Sequence, residues 1–457
     1  MEVLVIQPPS PPTVILDQTG GRVGHLAPPW LPMCLLSFIR QRTRHTGRIF
    51  DARFRVNWEE QLEANLATKK HADMTAVFCG RHDADAVGRV VAVLRRVRPE
   101  MPLVGFGEMP VLNPPAFRAE AGVHFGLVGD PEPTLRHLLD NYAILFRRQR
   151  IAGLLQDGAE NVAPIWASDL KTLALPEWSV VSLSNYDSPA YPNGMRVDLC
   201  LSRGAGRHPI DALVRPDGAP FRAGPMEQYS DALQAAAHLG IVEVHFSDPP
   251  DVWESGRLGE WLDRLERIHN PQDWSLRLLA LPLGEEFRAR LVEQRCRRIE
   301  LLVPSCDPEQ AALLGYEIPG TRALLEMQNW FQKHGIALDF VFWIGGSGEP
   351  RGEAQRIIRF VKSLRYCPFA LEARPDVPPT EPRLHEIARD VKRSLTFSPM
   401  RRIRSLFSRI KTIRISIDEE HRDLVTQPRA AAQTSPGEQN FQALEKQDAP
   451  TSKDWKP

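Results

Sequence analysis

Apolar runs and amphipathic stretches alternate along the first third of the chain, and this pattern predicts alternating strands and helices. The runs that predict strands are short and are bounded by Pro, Gly or polar residues. We place strands at Val3–Ile6, Ala72–Cys79, Pro102–Phe106 and Val123–Val128, and helices at Leu31–Arg42, Asp83–Arg98 and Glu132–Phe146. Residues 1–145 are therefore predicted to form a parallel, doubly wound sheet with a ligand edge beyond the carboxyl ends of its strands.

A second alternating series covers residues 196–375. Strands are predicted at Arg196–Leu201, Val242–Phe246, Leu276–Leu281, Arg298–Leu302, Leu338–Ile344 and Ala370–Arg374, and helices at Met226–Leu239, Leu258–Ile268, Glu285–Gln294, Thr321–His334 and Arg351–Leu364. About six β/α units predict a complete or partial (β/α) barrel that binds ligand at its carboxyl mouth. Residues 146–195 are predicted to be a connector, residues 376–425 an extension and residues 426–457 a disordered polar tail.

Composition narrows the possible function classes. The 457 residues are too many for one ordinary core and fit two domains with extensions. Lys plus Arg and Asp plus Glu both number 57, so the neutral total gives no reason to expect nucleic-acid binding. The start, MEVLVIQPPSPP, lacks the basic region and unbroken apolar core of a signal peptide, and no apolar run is long enough to span a bilayer. We expect a cytoplasmic protein.

The cysteines are scattered along the chain, at Cys34, Cys79, Cys200, Cys296, Cys306 and Cys367. They form no CxxC or CxxxCxxC spacing, so the sequence predicts neither a zinc site nor a disulfide framework. Each cysteine is expected to be a buried, reduced, small apolar residue.

An ordered set of short motifs carries a family resemblance over roughly residues 1–375. The motifs are VLVIQPP, then APPWLPMCLLSFIR and RIFD, which ends at Asp51, then LVGFGEMP, GLVGDPEPTL and DLKTLALPEW. In this order they resemble the class B cobalamin-dependent radical-SAM proteins. The resemblance implies an α/β chain in which a Rossmann-like, doubly wound domain of the cobalamin-binding type precedes a partial (β/α) barrel of the radical-SAM type.

The segment VDLCLSRGAGRHPIDALVRPDGAPFR departs from the family pattern. In the family, the residue after Ser-Arg-Gly begins a CxxxCxxC motif whose thiolates ligate a [4Fe-4S] cluster. Here Ser202, Arg203 and Gly204 are in place, but the three cysteine positions hold Ala205, Pro209 and Ala212. We therefore expect no [4Fe-4S] cluster. The family's reductive cleavage of S-adenosylmethionine is not carried over, and whether the chain is an enzyme stays open.

The resemblance also implies cofactor-binding positions at the edge of the first sheet. They are Pro8, Pro9, Gly80, His82, Gly105, Gly107, Gly129, Asp130 and Glu132. The DxHxxG motif of many cobalamin domains is absent, which leaves backbone and glycine contacts to bind cobalamin. Two interpretations stay open for Gly105 and Gly107, which either let a corrin approach or form a tight turn. Asp130 and Glu132 either bind a ligand or cap the next helix. His82 either faces cobalt or is a solvated loop residue.

In the barrel, the resemblance implies that Gly345 and Gly346 contact part of S-adenosylmethionine, although binding of that cofactor stays open. Asp248 ends a strand at the barrel mouth, where it is a candidate to bind a ribose or an amine. The alternative is that the glycines only turn the chain. In the extension, Ile403, Leu406, Phe407 and Ile410 have helical spacing and are surrounded by arginines. Such a basic amphipathic helix either packs against the barrel or contacts a membrane or partner through residues 400–415.

Three functions follow from these features. The first is a cobalamin-binding, radical-SAM-like protein without cluster cysteines that acts as a non-catalytic partner of an intact radical-SAM enzyme. The second is a methyltransferase that uses cobalamin by polar chemistry without a cluster. The third is a scaffold without a cofactor.

Overall fold

A computed structural model of the chain describes residues 1–9, 13–16, 22–25, 27–55, 57–68, 72–81, 83–145, 150–157, 162–186, 195–204, 210, 219–253, 255–268, 272–345, 350–365, 367, 369–374, 382–396 and 413–415. Within these ranges no helix is both long and apolar enough to cross a membrane. The described residues form an α/β fold built on two large sheets.

Strands β1 to β8 are Glu2–Gln7, Thr13–Leu16, Arg22–His25, Thr46–Asp51, Met74–Cys79, Leu103–Gly107, Phe125–Leu127 and Leu154–Leu155. Helices α1 to α6 are Trp30–Arg42, Trp58–Thr68, Ala84–Val97, Met109–Leu112, Pro114–Ala121 and Pro131–Leu145. The first sheet has the order β4-β1-β5-β6-β7-β8. All its pairs are parallel except β7 with β8. The turns after β1 and β5 flank the point where the strand order reverses, which is where open α/β sheets bind ligands.

The first sheet is buried on both faces, as the continuous apolar run in β1 indicates. Residues 3–6 have no exposed surface. Val3 and Val5 belong to one apolar core, whereas Leu4 and Ile6 belong to another on the opposite face. This alternation follows from the two-residue period of a strand and sets the register of the sheet.

Strands β9 to β17 are Arg196–Leu199, Ser202–Arg203, Arg222–Ala223, Glu243–Phe246, Asp273–Leu279, Cys296–Val303, Ala337–Ile344, Phe369–Ala373 and Ile413–Ile415. Helices α7 to α13 are Met226–His238, Ser255–Ile268, Glu285–Glu293, Pro308–Leu313, Thr321–Lys333, Pro350–Ser363 and Pro382–Thr396. Short 3-10 helices span Leu170–Thr172, Trp178–Val180, Leu183–Tyr186 and Pro250–Trp253.

The second sheet has the order β3-β2-β17-β16-β15-β14-β13-β12-β9. Its strands run parallel from β9 to β17, and its two ends do not pair with each other among the described residues. The expected partial barrel is confirmed. Strands β10 and β11 form a separate antiparallel ladder at its mouth.

Strands β2 and β3 were not predicted. They form a hairpin that leaves the first sheet after β1 and joins the second sheet by antiparallel pairing with β17. The segments TVIL and RVGH carry β-branched residues next to Pro and Gly, which is a hairpin signal that the sequence contained. The connection places a segment from the start of the chain beside one from its extension.

Helix α13 was also not predicted. Leu384, Ile387, Ala388 and Val391 are buried and follow helical spacing, so they form the stripe with which this helix packs on α12. The basic amphipathic helix predicted around residues 403–410 lies outside the described residues.

Candidate functional site

The turn after β7 lies against the connector. Gly129 has φ +102°, and a Cβ at this position would collide with the backbone of Ile165. The amide of Ile165 donates to the Val128 carbonyl at 3.0 Å, and the amide of Asp130 donates to the Ile165 carbonyl at 2.8 Å. Gly129 is therefore required by the protein's own backbone packing.

Asp130 and Glu132 pair with arginines from the second half of the chain. Arg203 Nη2 donates to Glu132 Oε1 at 2.7 Å, and Arg203 Nη1 lies 3.9 Å from Asp130 Oδ1. Arg222 Nη1 donates to Asp130 Oδ2 and to the carbonyl of Ala167. We call Asp130, Glu132, Arg203 and Arg222 the four-residue ion cluster. It joins the ligand edge of the first sheet to the mouth of the second.

The four-residue ion cluster is buried. The exposed fraction of the side chain is 0% for Glu132, 4% for Asp130, 10% for Arg203 and 12% for Arg222. Burial raises the pKa of Glu132, and the nearby Arg203 guanidinium opposes this shift. In the described structure Glu132 Oε2 has no hydrogen-bond partner. A buried unpaired carboxylate oxygen is costly and is usually satisfied by a water or a ligand group.

Asp248 follows β12 at the mouth of the second sheet and is buried. Its Oδ1 accepts hydrogen bonds from the amides of Leu201 and Ser202, at 2.9 and 2.7 Å, and from the Tyr229 hydroxyl at 3.1 Å. Burial raises the pKa of Asp248, and the hydrogen bonds from Ser202 oppose this shift. Oδ2 accepts no hydrogen bond from the described residues. Asp248 thus holds the start of the Ser-Arg-Gly segment and keeps one oxygen available to a donor.

Two glycines of the first sheet face a phenylalanine. Gly105 pairs with Gly126 across β6 and β7. A Cβ on Gly105 would overlap the ring of Phe117, and a Cβ on Gly126 would lie 3.2 Å from it. Phe117 comes from α5 and is 1% exposed. Its ring fills the space that the missing side chains leave on this face of the sheet.

The other proposed positions at the first edge differ in exposure. Pro8 and Gly80 are buried, whereas Pro9 and Gly107 are partly exposed. Gly107 has φ +116°, as expected for a tight turn after β6. In the second sheet, Gly345 directly follows β15 and is partly exposed. His82 and Gly346 lie outside the described residues, and so do Ala205, Pro209 and Ala212, the positions that the resemblance matches to cysteines.

Asp51 anchors the connector at the same edge. It ends β4, accepts a hydrogen bond from the Tyr186 hydroxyl at 2.8 Å, and pairs with Arg53 at 2.7 Å. Arg53 also donates to the carbonyl of Ala27 at 2.9 Å. Two segments distant in sequence are thereby fixed beside the turn after β1.

The donor set does not fit a [4Fe-4S] cluster. All six cysteines are buried and form no disulfide, and their positions lie far apart in the sequence. Burial raises the pKa of Cys34, Cys79, Cys296 and Cys367, as expected for thiols packed among apolar side chains. Across the described residues, no group of three or more His, Cys, Asp or Glu side chains has the arrangement of a metal site.

A buried charged network on the second sheet was missed by the sequence analysis. Glu300 of β14 accepts from Arg196 of β9 at 3.1 Å and from Arg277 of β13 at 2.8 Å. Arg277 also pairs with Glu372 at 2.9 Å, and His245 Nε2 lies 3.6 Å from Glu300 Oε2. We call these five residues the charged network. They lie on the face of the sheet opposite to the one that packs against the helices.

His245 gives stability a pH dependence. Burial lowers the pKa of His245 to about 3, below the ordinary value of about 6.5. The unfolded chain therefore binds a proton that the folded protein excludes between these values. This contribution to stability is complete above about pH 6.5 and is lost progressively as the pH falls toward 3.

We expect His245→Gln to weaken this pH dependence, since glutamine does not titrate. The measurement is the free energy of urea unfolding at about pH 7 and about pH 5, with the exposed His334 changed to Gln as the control. Carboxylates add their own acid sensitivity to all three proteins. An unchanged difference between the two pH values in His245→Gln would contradict the assignment.

Solved structures with a similar fold are known. No protein-family model matches the sequence, and no curated protein matches it by sequence. The fold is similar to that of solved cobalamin-dependent radical S-adenosylmethionine enzymes. The chain is similar to TsrM from Kitasatospora setae, a radical S-adenosylmethionine methyltransferase solved with tryptophan and a SAM analogue, at TM-score 0.62 and 16% identity. The alignment covers 81% of this chain and 72% of TsrM.

Two further structures give the same result. TsrM with cobalamin and a [4Fe-4S] cluster matches at TM-score 0.61 and 16% identity, over 81% of this chain and 74% of that one. OxsB, a cobalamin-dependent S-adenosylmethionine radical enzyme with aqua-cobalamin bound, matches at TM-score 0.53 and 14% identity. That alignment covers 79% of this chain and 52% of OxsB, so this chain spans about half the length of OxsB. At these identities the likeness establishes the fold alone.

Proposed function

We propose that this chain binds cobalamin without a [4Fe-4S] cluster and acts as a non-catalytic partner of an intact radical-SAM enzyme. The observation that carries the proposal is the cysteine inventory. The sequence offers no three cysteines within one loop, and all six thiols are buried. A cluster of this family is held by three thiolates of one loop, so without them reductive cleavage of S-adenosylmethionine has no electron source in this chain.

Cobalamin is supported by the fold and by the partly exposed positions of the first edge. TsrM and OxsB with the same fold were solved with cobalamin and aqua-cobalamin bound, respectively. In this chain Pro9 and Gly107 are the partly exposed positions of the predicted set, so they are the residues that would contact the corrin. Bound cobalamin would supply methyl-carrier chemistry, and the protein's part is to orient it and exclude water.

A second candidate, a scaffold without a cofactor, is favoured by a specific observation. The space beside Gly105 and Gly126 holds the Phe117 ring, and Gly129 is closed by the backbone of Ile165. Gly105 and Gly129, both among the predicted cofactor-binding positions, are therefore in contact with the protein itself. On this alternative the two sheets serve only to present a surface to another protein.

Cofactor occupancy separates the candidates. The purified full chain is incubated anaerobically with hydroxocobalamin, ferrous iron and sulfide, desalted, and analysed for cobalt and iron per chain. We expect near-stoichiometric cobalt with negligible iron. Pro9→Trp should lower cobalt uptake because it places a bulky ring at the carboxyl edge. Glu100→Trp is the matched control, since Glu100 is exposed at the amino edge of the same sheet.

Three other outcomes would contradict the proposal. Iron sufficient for a full cluster would overturn the cluster-free proposal. If neither cobalt nor iron per chain rises above background, only the candidate of a scaffold without a cofactor remains. Cobalt uptake that falls equally in Pro9→Trp and Glu100→Trp would show that cobalamin does not bind at the predicted edge.

A further inference from the structure

The ladder between β10 and β11 brings two arginines together. Arg203 and Arg222 are directly opposite each other across this antiparallel pair. Like charges in this relation repel, and both side chains are largely buried. The ladder therefore requires negative charge close by to be stable.

The first sheet supplies that charge. Asp130 lies between the two guanidinium groups, with Oδ1 toward Arg203 and Oδ2 bonded to Arg222. Glu132 pairs with Arg203 from the first turn of α6. Two guanidinium groups and two carboxylates thus form one buried cluster. Each guanidinium also lies over an aromatic ring, that of Arg203 over Trp30 and that of Arg222 over Trp166.

Further contacts fix the same strands from the other side. Asp248 accepts hydrogen bonds from the amides of Leu201 and Ser202. The amide of Gly224 donates to the Leu201 carbonyl at 3.0 Å. Residues 201–204 and 219–224 are therefore bonded both to the mouth of the second sheet and to the ligand edge of the first. No contact in this arrangement requires a metal ion.

We propose that the four-residue ion cluster is an anchor that fixes the β10–β11 ladder to the first sheet and so replaces a metal cluster as the structural support at the barrel mouth. In a protein whose loop binds metal, metal affinity contributes directly to folding of that loop. Here paired buried charges make that contribution, and one missing partner leaves an uncompensated charge. Asp130, Glu132, Arg203 and Arg222 are positioning residues. The inference rests on the proposed absence of a [4Fe-4S] cluster and does not depend on cobalamin binding.

Hydrogen exchange of the full chain tests the anchor. In Glu132→Gln, amides of residues 201–204 and 222–224 should exchange on the order of tenfold to a hundredfold faster than in the wild type, while amides of β14 and β15 keep their rates. The matched control is Glu59→Gln, which breaks the exposed pair between Glu59 and Arg89 and should leave all these rates unchanged. Arg222→Gln is the second variant, because it removes a charge of the four-residue ion cluster from the other strand of the ladder.

The same measurement with ferrous iron and sulfide present tests the replacement of a metal cluster. We expect wild-type exchange at residues 201–204 and 222–224 to be the same with and without these ions. Added protection on reconstitution would overturn the proposal, as would unchanged exchange in both Glu132→Gln and Arg222→Gln. If the chain takes up no cobalt but the amide exchange rates behave as expected, cobalamin binding is rejected and the anchor is still supported.

Discussion

Glu300→Gln is expected to destabilise the protein by about 3–5 kcal/mol, because it removes the central negative charge of the charged network. Glu300 is 2% exposed and pairs with both Arg196 and Arg277 through opposite oxygens. Glutamine keeps the volume of the side chain, so the loss reports charge and hydrogen bonding with little contribution from packing. Arg277 retains its pair with Glu372, which places the expected loss toward the lower end of this range.

Urea unfolding followed by near-ultraviolet circular dichroism measures this loss. The control is Glu326→Gln, which breaks an exposed i,i+4 pair with Arg322 and should cost about 0.3–0.5 kcal/mol. A loss in Glu300→Gln as small as in the control would mean that water reaches the network and screens its charges.

The order of strands and helices was largely predictable because local patterns determine it. The apolar run in β1 and the helical spacing in α3 are visible in any window of the sequence, and both elements form close to their predicted bounds. The hairpin of β2 and β3 was missed because its flanking prolines were interpreted only as loop residues. Its placement in the second sheet depends on pairing with β17, almost the whole chain length away, which no local pattern encodes.

The charged network had a local signal that could have been used. Along β9, β12 and β14, charged or polar residues alternate with apolar ones, as in Arg196-Val197-Asp198 and Glu243-Val244-His245. A parallel strand covered on both faces is normally apolar throughout, so this alternation indicates a second, polar face. What the sequence could not reveal is that the charges neutralise one another across neighbouring strands, because that depends on strand order and register.

The role of Asp130 and Glu132 was less predictable. Their position after β7 was correct, and both interpretations offered for them were local, a ligand turn or a helix cap. The described contacts run instead to Arg203 and Arg222, more than seventy residues away. Only the packing of the two sheets makes such contacts possible. The turn after β7 is thereby linked to the barrel mouth rather than left open as a separate edge.

Phe117→Ala is the second change with a large expected effect. Truncating a buried phenylalanine costs about 3–5 kcal/mol, because apolar contact is lost and a cavity remains. Here the cavity should persist, since Gly105 and Gly126 on its floor have no side chains that could move into it. Urea unfolding measures the loss, and Phe331→Ala is the matched control, because Phe331 of α11 is equally buried but packs against ordinary side chains.

If the cavity persists, a small apolar ligand should stabilise Phe117→Ala more than its control. Benzene at saturation should raise the unfolding free energy of Phe117→Ala, because it binds the folded state in an apolar hole and does not bind the unfolded chain. The wild type should not respond, and Phe331→Ala should respond less. A loss near 1 kcal/mol without any effect of benzene would show that α5 closes onto the glycines. Persistence of the hole would instead show that the glycines cannot fill the space that the Phe117 ring occupies in the wild type.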